Sequence, residues 1–384
     1  MSKAATTYKP QSKHLPGLSG GGSKDVNSTE FQLTVECCRW AFASGEACRI
    51  HELCADIDWD RFIRIVRFHR VQGLVWHSLC STKAEVPPLA ASTLSTDAKS
   101  IVATNLRMAI EARDLRSDFE QAGLDLLFVK GLTVGVLAYP KPLLKMGWDI
   151  DLLIEPTQLA QAAELLLSRG YRLVSPQRPA DLLRWHGRLK ESVWTRDPGL
   201  HVELHTRLAD NRLLIPSIDV HSPRQLVEVT QGVALPTLAA DELFAYLCVH
   251  GATSAWFRLK WIADFTGMLA PRAPAEIDRL YEGSQRLGAG RAVDQALLLA
   301  DALFGSLAGT NLKPRLELGG ASRWLASAAY RQLVGNADCR EPTEVPLGTA
   351  RIHLSQLPLM SGLRFPLSEL ARQIGDFASR PGRH

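Results

Sequence analysis

The stretch FVKGLTVGVLAYPKPLLKMGWDIDLLIEP, residues 128–156, decides how this chain is read. It opens on the end of a short apolar run, residues 124–129, of strand type, which stops at Lys130-Gly131. LTVGVLAY then fits a short helix, and WDIDLLIE fits a second strand stopped by Pro156. Side chains alternate along a strand, so Asp149 and Asp151 project to one side, about 6.5–7 Å apart. Two carboxylates on one face repel each other unless a cation lies between them. Divalent ions, hard and bound through oxygen, meet that demand, and a pair ~3.5–4 Å apart serves both the attacking and the leaving oxygen of a phosphoryl displacement.

Working outward, TQLAQAAELLLSRGY reads as a helix with Gly170 where a C-terminal cap belongs. Strand, helix, strand, helix is the rhythm of an α/β core. LKESVWTRDPGLHVELHTRL reads as two strands joined by turn chemistry at Asp197-Pro198-Gly199, which makes the sheet mixed with an antiparallel edge. On the second of these strands Glu203 shares a face with His201 and His205, while Val202 and Leu204 point to the core. Three acids from two strands are therefore expected to converge.

On the N-terminal side the pattern is helical. Ser28 is an N-cap for a helix through Phe31, Val35, Cys38 and Phe42; a second helix runs from Asp58 to Leu79, and a third over 97–122. After Pro236 helices return in ADELFAYLCVHGA and AWFRLKWIADFTGML and over 275–305 and 320–334. The fold class expected is α+β: a small mixed sheet flanked by N-terminal and C-terminal helical units. The divisions are a disordered arm at 1–27, a helical region at 28–120, the core at 121–236, a helical region at 237–335 and a weakly ordered, proline-bearing tail at 336–384.

Composition narrows the function classes. The chain has 384 residues, 46% hydrophobic and 22% charged, and is neither collagen-like nor disordered throughout. A net charge of +4 gives little support to polymerisation onto RNA ends, which wants a basic groove interleaved with aromatics. Seven cysteines without a C-x-x-C pair fit neither a disulfide framework nor a zinc ribbon, and point to reduced thiols and a cytoplasmic location. No apolar run reaches the ~18 residues of a spanning helix, so no membrane partner is expected.

The D-x-D spacing alone is weak, since Asp56, Asp58 and Asp60 repeat it in front of a helix, where carboxylates cap free N–H groups. Neighbouring features strengthen Asp149 and Asp151. Lys130-Gly131 stands at a strand-to-helix turn where backbone can approach a phosphate, Glu203 supplies a third acid, and Lys145 lies four residues before Asp149.

With Lys130-Gly131, Tyr139-Pro140, Lys145 and Asp149 to Leu153 in that order, the stretch resembles an uncharacterised bacterial nucleotidyltransferase family of DNA polymerase β-like fold. The likeness extends to VELHTRL, to DELFAYLCVHGATSAWFRLKWIADF and back to DWDRFIRIVRFHRVQGLVWHSL, over about residues 57–300. It implies that Asp149 and Asp151 ligate catalytic Mg²⁺ (or Mn²⁺), that Glu203 adds the third carboxylate, and that Lys130, Gly131 and Lys145 meet the NTP. It also implies transfer of a nucleoside monophosphate to an acceptor, a small molecule or protein rather than nucleic acid, with release of pyrophosphate.

The broader superfamily begins its motif with Gly-Ser where this chain has Lys-Gly, and Lys145 stands where Arg is expected. The missing serine motivates an alternative, a non-catalytic nucleotide-binding or protein-interaction relative. His205 and His250 are candidates for the acceptor side or for hydrogen bonding to the acids. Lys260 and Asp264 are i,i+4 neighbours that fit an exposed ion pair, and Trp256 and Trp261 fit a core role.

Overall fold

In a computed structural model the described residues are 28–43, 47–335 and 339–379; the arm at 1–27 lies outside them. They form 16 α-helices, a five-stranded mixed sheet and a separate two-stranded one, an α+β fold. No helix among them is long and apolar enough to cross a membrane.

The large sheet contains β1 (Leu126–Phe128), β2 (Ile150–Ile154), β3 (Arg172–Ser175), β4 (Glu191–Arg196) and β5 (Leu200–His205) in the order β1-β2-β5-β4-β3. Only β2 and β5 run parallel. β1 and β2 pair antiparallel although the helix Leu132–Ala138 lies between them, so the link is not a full parallel crossover. The hairpin β4–β5 turns at 197–199 as its sequence dictates. A second hairpin, β6 (Arg224–Thr230) with β7 (Val233–Leu238), was not expected. Its signal is the alternation of RQLVEVT and the turn at Gln231-Gly232.

Period-2 burial explains how the sheet is placed. Ile150, Leu152, Ile154, Val202 and Leu204 share one apolar cluster with Phe119 of the long helix Pro88–Gln121 and Leu166 of the helix Leu159–Ser168. The opposite face carries Asp151, Leu153, Glu203 and His205. Leu153 belongs instead to a second cluster, which joins helices from both ends of the chain: Leu33, Phe62, Phe244, Ile262 and Leu297 all lie in it. Arg39 ties the ends further, donating to the carbonyls of Leu303 and Phe304.

The expected helix 58–79 is two helices, Trp59–Phe68 and Gln72–Ser81, broken at Arg70 with its positive φ of 57°. Asp58 caps the first of them by accepting from the backbone N–H of Arg61 at 2.9 Å, which accounts for the D-x-D decoy there. Where a weakly ordered tail was expected, residues 348–356 and 364–379 are helical. This segment is anchored by Leu359 and Phe365 in the main apolar cluster and by polar contacts. Asn211 donates to the buried Glu369 at 2.9 Å, Gln356 to the carbonyl of Thr253 at 2.6 Å, and Arg291 to the carbonyls of Pro358 and Met360.

Candidate active site

A cleft of about 510 Å³ opens between the polar face of the sheet, the helices Ala240–Thr253 and Leu259–Leu269, and the C-terminal helices. Its geometry starts from register. Asp151 of β2 stands opposite Glu203 of β5, and Leu153 opposite His205, so an acid faces an acid across a parallel pair. His205, two residues after Glu203, points the same way. Its Nε2 lies 3.2 Å from Asp151 Oδ1 and 3.5 Å from Glu203 Oε2. One ligand atom from each of Asp151, Glu203 and His205 falls within 4.8 Å of the other two.

Lys130, at the end of β1, reaches into this group. Its Nζ is 2.6 Å from Asp151 Oδ1 and 3.7 Å from Glu203 Oε2. Burial pushes the Asp151 carboxyl up, but the Lys130 ammonium and the His205 hydrogen bond outweigh it and leave the pKa below the ordinary carboxylate value. Glu203 is lowered by the same balance. Burial and the Lys190 ammonium lower His205, yet Glu191, Asp151 and Glu203 together carry it above an ordinary imidazole. Lys130 is likewise raised, its carboxylate neighbours exceeding the cost of burial.

Gly131 follows at φ 65° and ψ −120°, a conformation costly to any residue with a Cβ, and caps the short helix Leu132–Ala138. A Cβ there would sit in ordinary contact, 3.5 Å, with the carbonyl oxygen of Asp149, so the demand is conformational rather than steric. Two residues before Asp149, Gly147 packs so closely that a Cβ would fall 2.4 Å from the Met108 side chain. Asn105 donates to the carbonyls of Leu143 and Lys145, both at 2.7 Å, and pins this loop to the long helix.

The carboxylate of Asp149 lines the cleft but stands outside the Asp151–Glu203–His205 group. Lys145 also lines it, but is buried and already paired, its Nζ 3.4 Å from Asp264 Oδ2. Tyr139 donates to the other oxygen of Asp264 at 2.9 Å. The expected pair Lys260–Asp264 is thus replaced by Lys145–Asp264, formed between residues far apart in sequence. Lys260 faces the cleft, where burial and the neighbouring Lys145 depress it to about 8. His250 lines the cleft as well, edge-on to Trp261, and burial with the nearby Lys130 and Lys190 drives its pKa well below the usual value. Trp256 is core, 1% exposed, whereas Trp261 borders the cleft.

Several wall residues carry no motif in the sequence. Glu191 of β4 stands opposite His205, its Oε2 3.3 Å from Nδ1, and forms an ion pair with Lys190. Arg70, Asp210 and Arg372 are also among the polar residues that line it. Glu191 was open to discovery by strand alternation, being even-spaced with Val193 and Thr195; Arg70, in the break between two N-terminal helices, and Arg372, on the helix Arg364–Ser379, come from distant parts of the chain and leave no local trace.

The donor set fits a divalent cation. Two carboxylates suit Mg²⁺ or Mn²⁺, and His205 either ligates or, as its hydrogen bond to Asp151 indicates, orients the acids. The sequence model of a family described as uncharacterised nucleotidyltransferase matches residues 55–305, about two-thirds of the chain, and the chain belongs to that family. No curated protein matches it.

Proposed function

We propose that this member of the uncharacterised nucleotidyltransferase family moves a nucleoside monophosphate from an NTP to an acceptor hydroxyl and releases pyrophosphate, with Mg²⁺ or Mn²⁺ as cofactor. The observation that carries the reading is the facing of Asp151 and Glu203 across the parallel strands, with His205 against both, at the floor of a lysine-lined cleft. In this reading Asp151 and Glu203 hold the ion, and Asp149, whose carboxylate stands outside their group, borders the nucleotide at the edge of β2. A bound divalent ion supplies screening of phosphoryl oxygens and a lowered pKa for the acceptor hydroxyl. His205 keeps the two carboxylates oriented, and the Glu191 carboxylate stands 3.3 Å from its Nδ1 on the other side of the ring. Lys145, steadied by Asp264, and Lys260 and Arg70 offer positive charge to the triphosphate, and the Gly131 turn lets backbone approach it. The acceptor is a small molecule or a protein side chain, and the setting is cytoplasmic.

Two observations favour a second reading, a nucleotide binder without turnover: Lys130 already neutralises the two acids, and no serine stands at the phosphate turn. Incubation with each α-phosphate-labelled NTP, Mg²⁺ or Mn²⁺ and a lysate as acceptor source distinguishes the two. Transfer of label supports the enzyme. Calorimetric binding of metal–NTP with no label transferred supports the binder.

A further inference from the structure

Lys130 is an unusual occupant for the floor of a cleft assigned to a metal. Among the described residues it ion-pairs with Asp151 and Glu203 and with no other carboxylate. Of the other lysines lining the cleft, Lys145 is held by Asp264 and Lys190 by Glu191. A divalent ion ligated by both acids would stand ~2.0–2.2 Å from each oxygen. Lys130 Nζ is 2.6 Å from one of those oxygens, so ion and ammonium compete for one space and one pair of charges. Lysine suits such a role because its charge is a compact point on a four-carbon stem with free rotation, unlike the fixed fork of arginine. The stem is 16% exposed and leads into the cleft that Lys145, Lys260 and Arg70 also line.

We infer that Lys130 is a built-in counter-ion of the metal-free site: a divalent ion enters only by displacing its ammonium from Asp151 and Glu203, and the displaced ammonium turns to the phosphates of the incoming nucleotide. This rests on the reading that these two acids hold the ion. The device keeps two buried carboxylates neutralised without metal and makes metal and nucleotide bind cooperatively, since each provides a partner for a charge the other leaves exposed.

Mn²⁺ titration by calorimetry and by electron paramagnetic resonance, without nucleotide, compares the wild type with Lys130→Met. The variant is expected to bind Mn²⁺ at least about tenfold more tightly, or 1.4 kcal/mol, and to gain more in melting temperature from Mn²⁺ than the wild type does. Equal or weaker binding by the folded variant would overturn the displacement while leaving the metal site standing. No Mn²⁺ binding by either protein would overturn the metal site and the displacement with it. A measurement on the wild type covers the case of a variant that does not fold. Brief acetylation read by mass spectrometry, with the exposed Lys99 as internal reference, should label Lys130 several-fold faster when Mn²⁺ is present. An unchanged or slower rate would again overturn the displacement.

Discussion

Replacing Asp151 by Asn keeps shape and removes one charge from the centre of the site. The side chain is 1% exposed, with Lys130 Nζ at 2.6 Å and His205 Nε2 at 3.2 Å. Stripping one partner from a buried ion pair costs about 3–5 kcal/mol when the other charge is abandoned. Here Glu203 remains 3.7 Å from the ammonium and 3.5 Å from the imidazole, so the loss should be nearer ~2 kcal/mol. At ~2–4 °C per kcal/mol the melting temperature should fall by about 4–8 °C. Transfer should suffer far more, by ~10³-fold or greater, equivalent to ~4 kcal/mol of barrier. The assay is label transfer from α-phosphate-labelled NTP at a temperature well below melting, with unfolding followed by circular dichroism on the same preparation. Full transfer by a folded Asp151→Asn protein would refute the assignment. So would a loss of transfer no larger than the fraction of protein unfolded.

Gly131→Ala should lower stability by ~1–3 kcal/mol through its backbone conformation alone, because the new Cβ meets no clash; denaturant unfolding checks this, and a change below ~0.5 kcal/mol would argue against the turn as described. His69 is buried, its Nδ1 accepts from the backbone N–H of Leu259, and burial with the nearby Arg258 holds its pKa at about 3. The unfolded state, with an imidazole near ~6.5, therefore binds the extra proton, and stability drops as the pH falls below that value, by about 2 kcal/mol between pH 7 and 5. His69→Gln should flatten this slope in denaturant titrations at the two pH values. Lys260, depressed to about 8 by burial and Lys145, loses its charge as the pH rises through that value. Metal–NTP affinity should weaken above pH 8 by up to ~tenfold per unit, and Lys260→Met should remove this dependence in calorimetry.

Much of the site was legible because strand alternation is a local rule. Asp151, Glu203 and His205 sit on one face for the same reason that Leu152, Val202 and Leu204 sit on the other. What alternation cannot give is which strands pair and in what register. The parallel pairing that sets Asp151 opposite Glu203 is a tertiary fact, and so is the antiparallel β1–β2 pair that delivers Lys130 to the acids instead of to open cleft. The pairing of Lys145 with Asp264 has no local signal because the two are more than a hundred residues apart. The helices 348–356 and 364–379 left little trace in the sequence because prolines at 342, 346, 358 and 366 stand before them, between them and in the first turn of the second, and because contacts such as Asn211–Glu369 that hold them join residues far apart in the chain. Glu191 was within reach of the same rule, because it shares the face of Val193 and Thr195 while Ser192 and Trp194 are buried on the other; only its pairing opposite His205 is a tertiary fact.

The most direct trial is a crystal soaked in Mn²⁺ with a non-hydrolysable NTP, with anomalous scattering used to locate the metal. A peak ~2.0–2.3 Å from carboxylate oxygens of both Asp151 and Glu203, with the triphosphate beside the Gly131 turn, is the predicted result. A nucleotide bound with its metal away from both acids, or seated in another cleft, would contradict it.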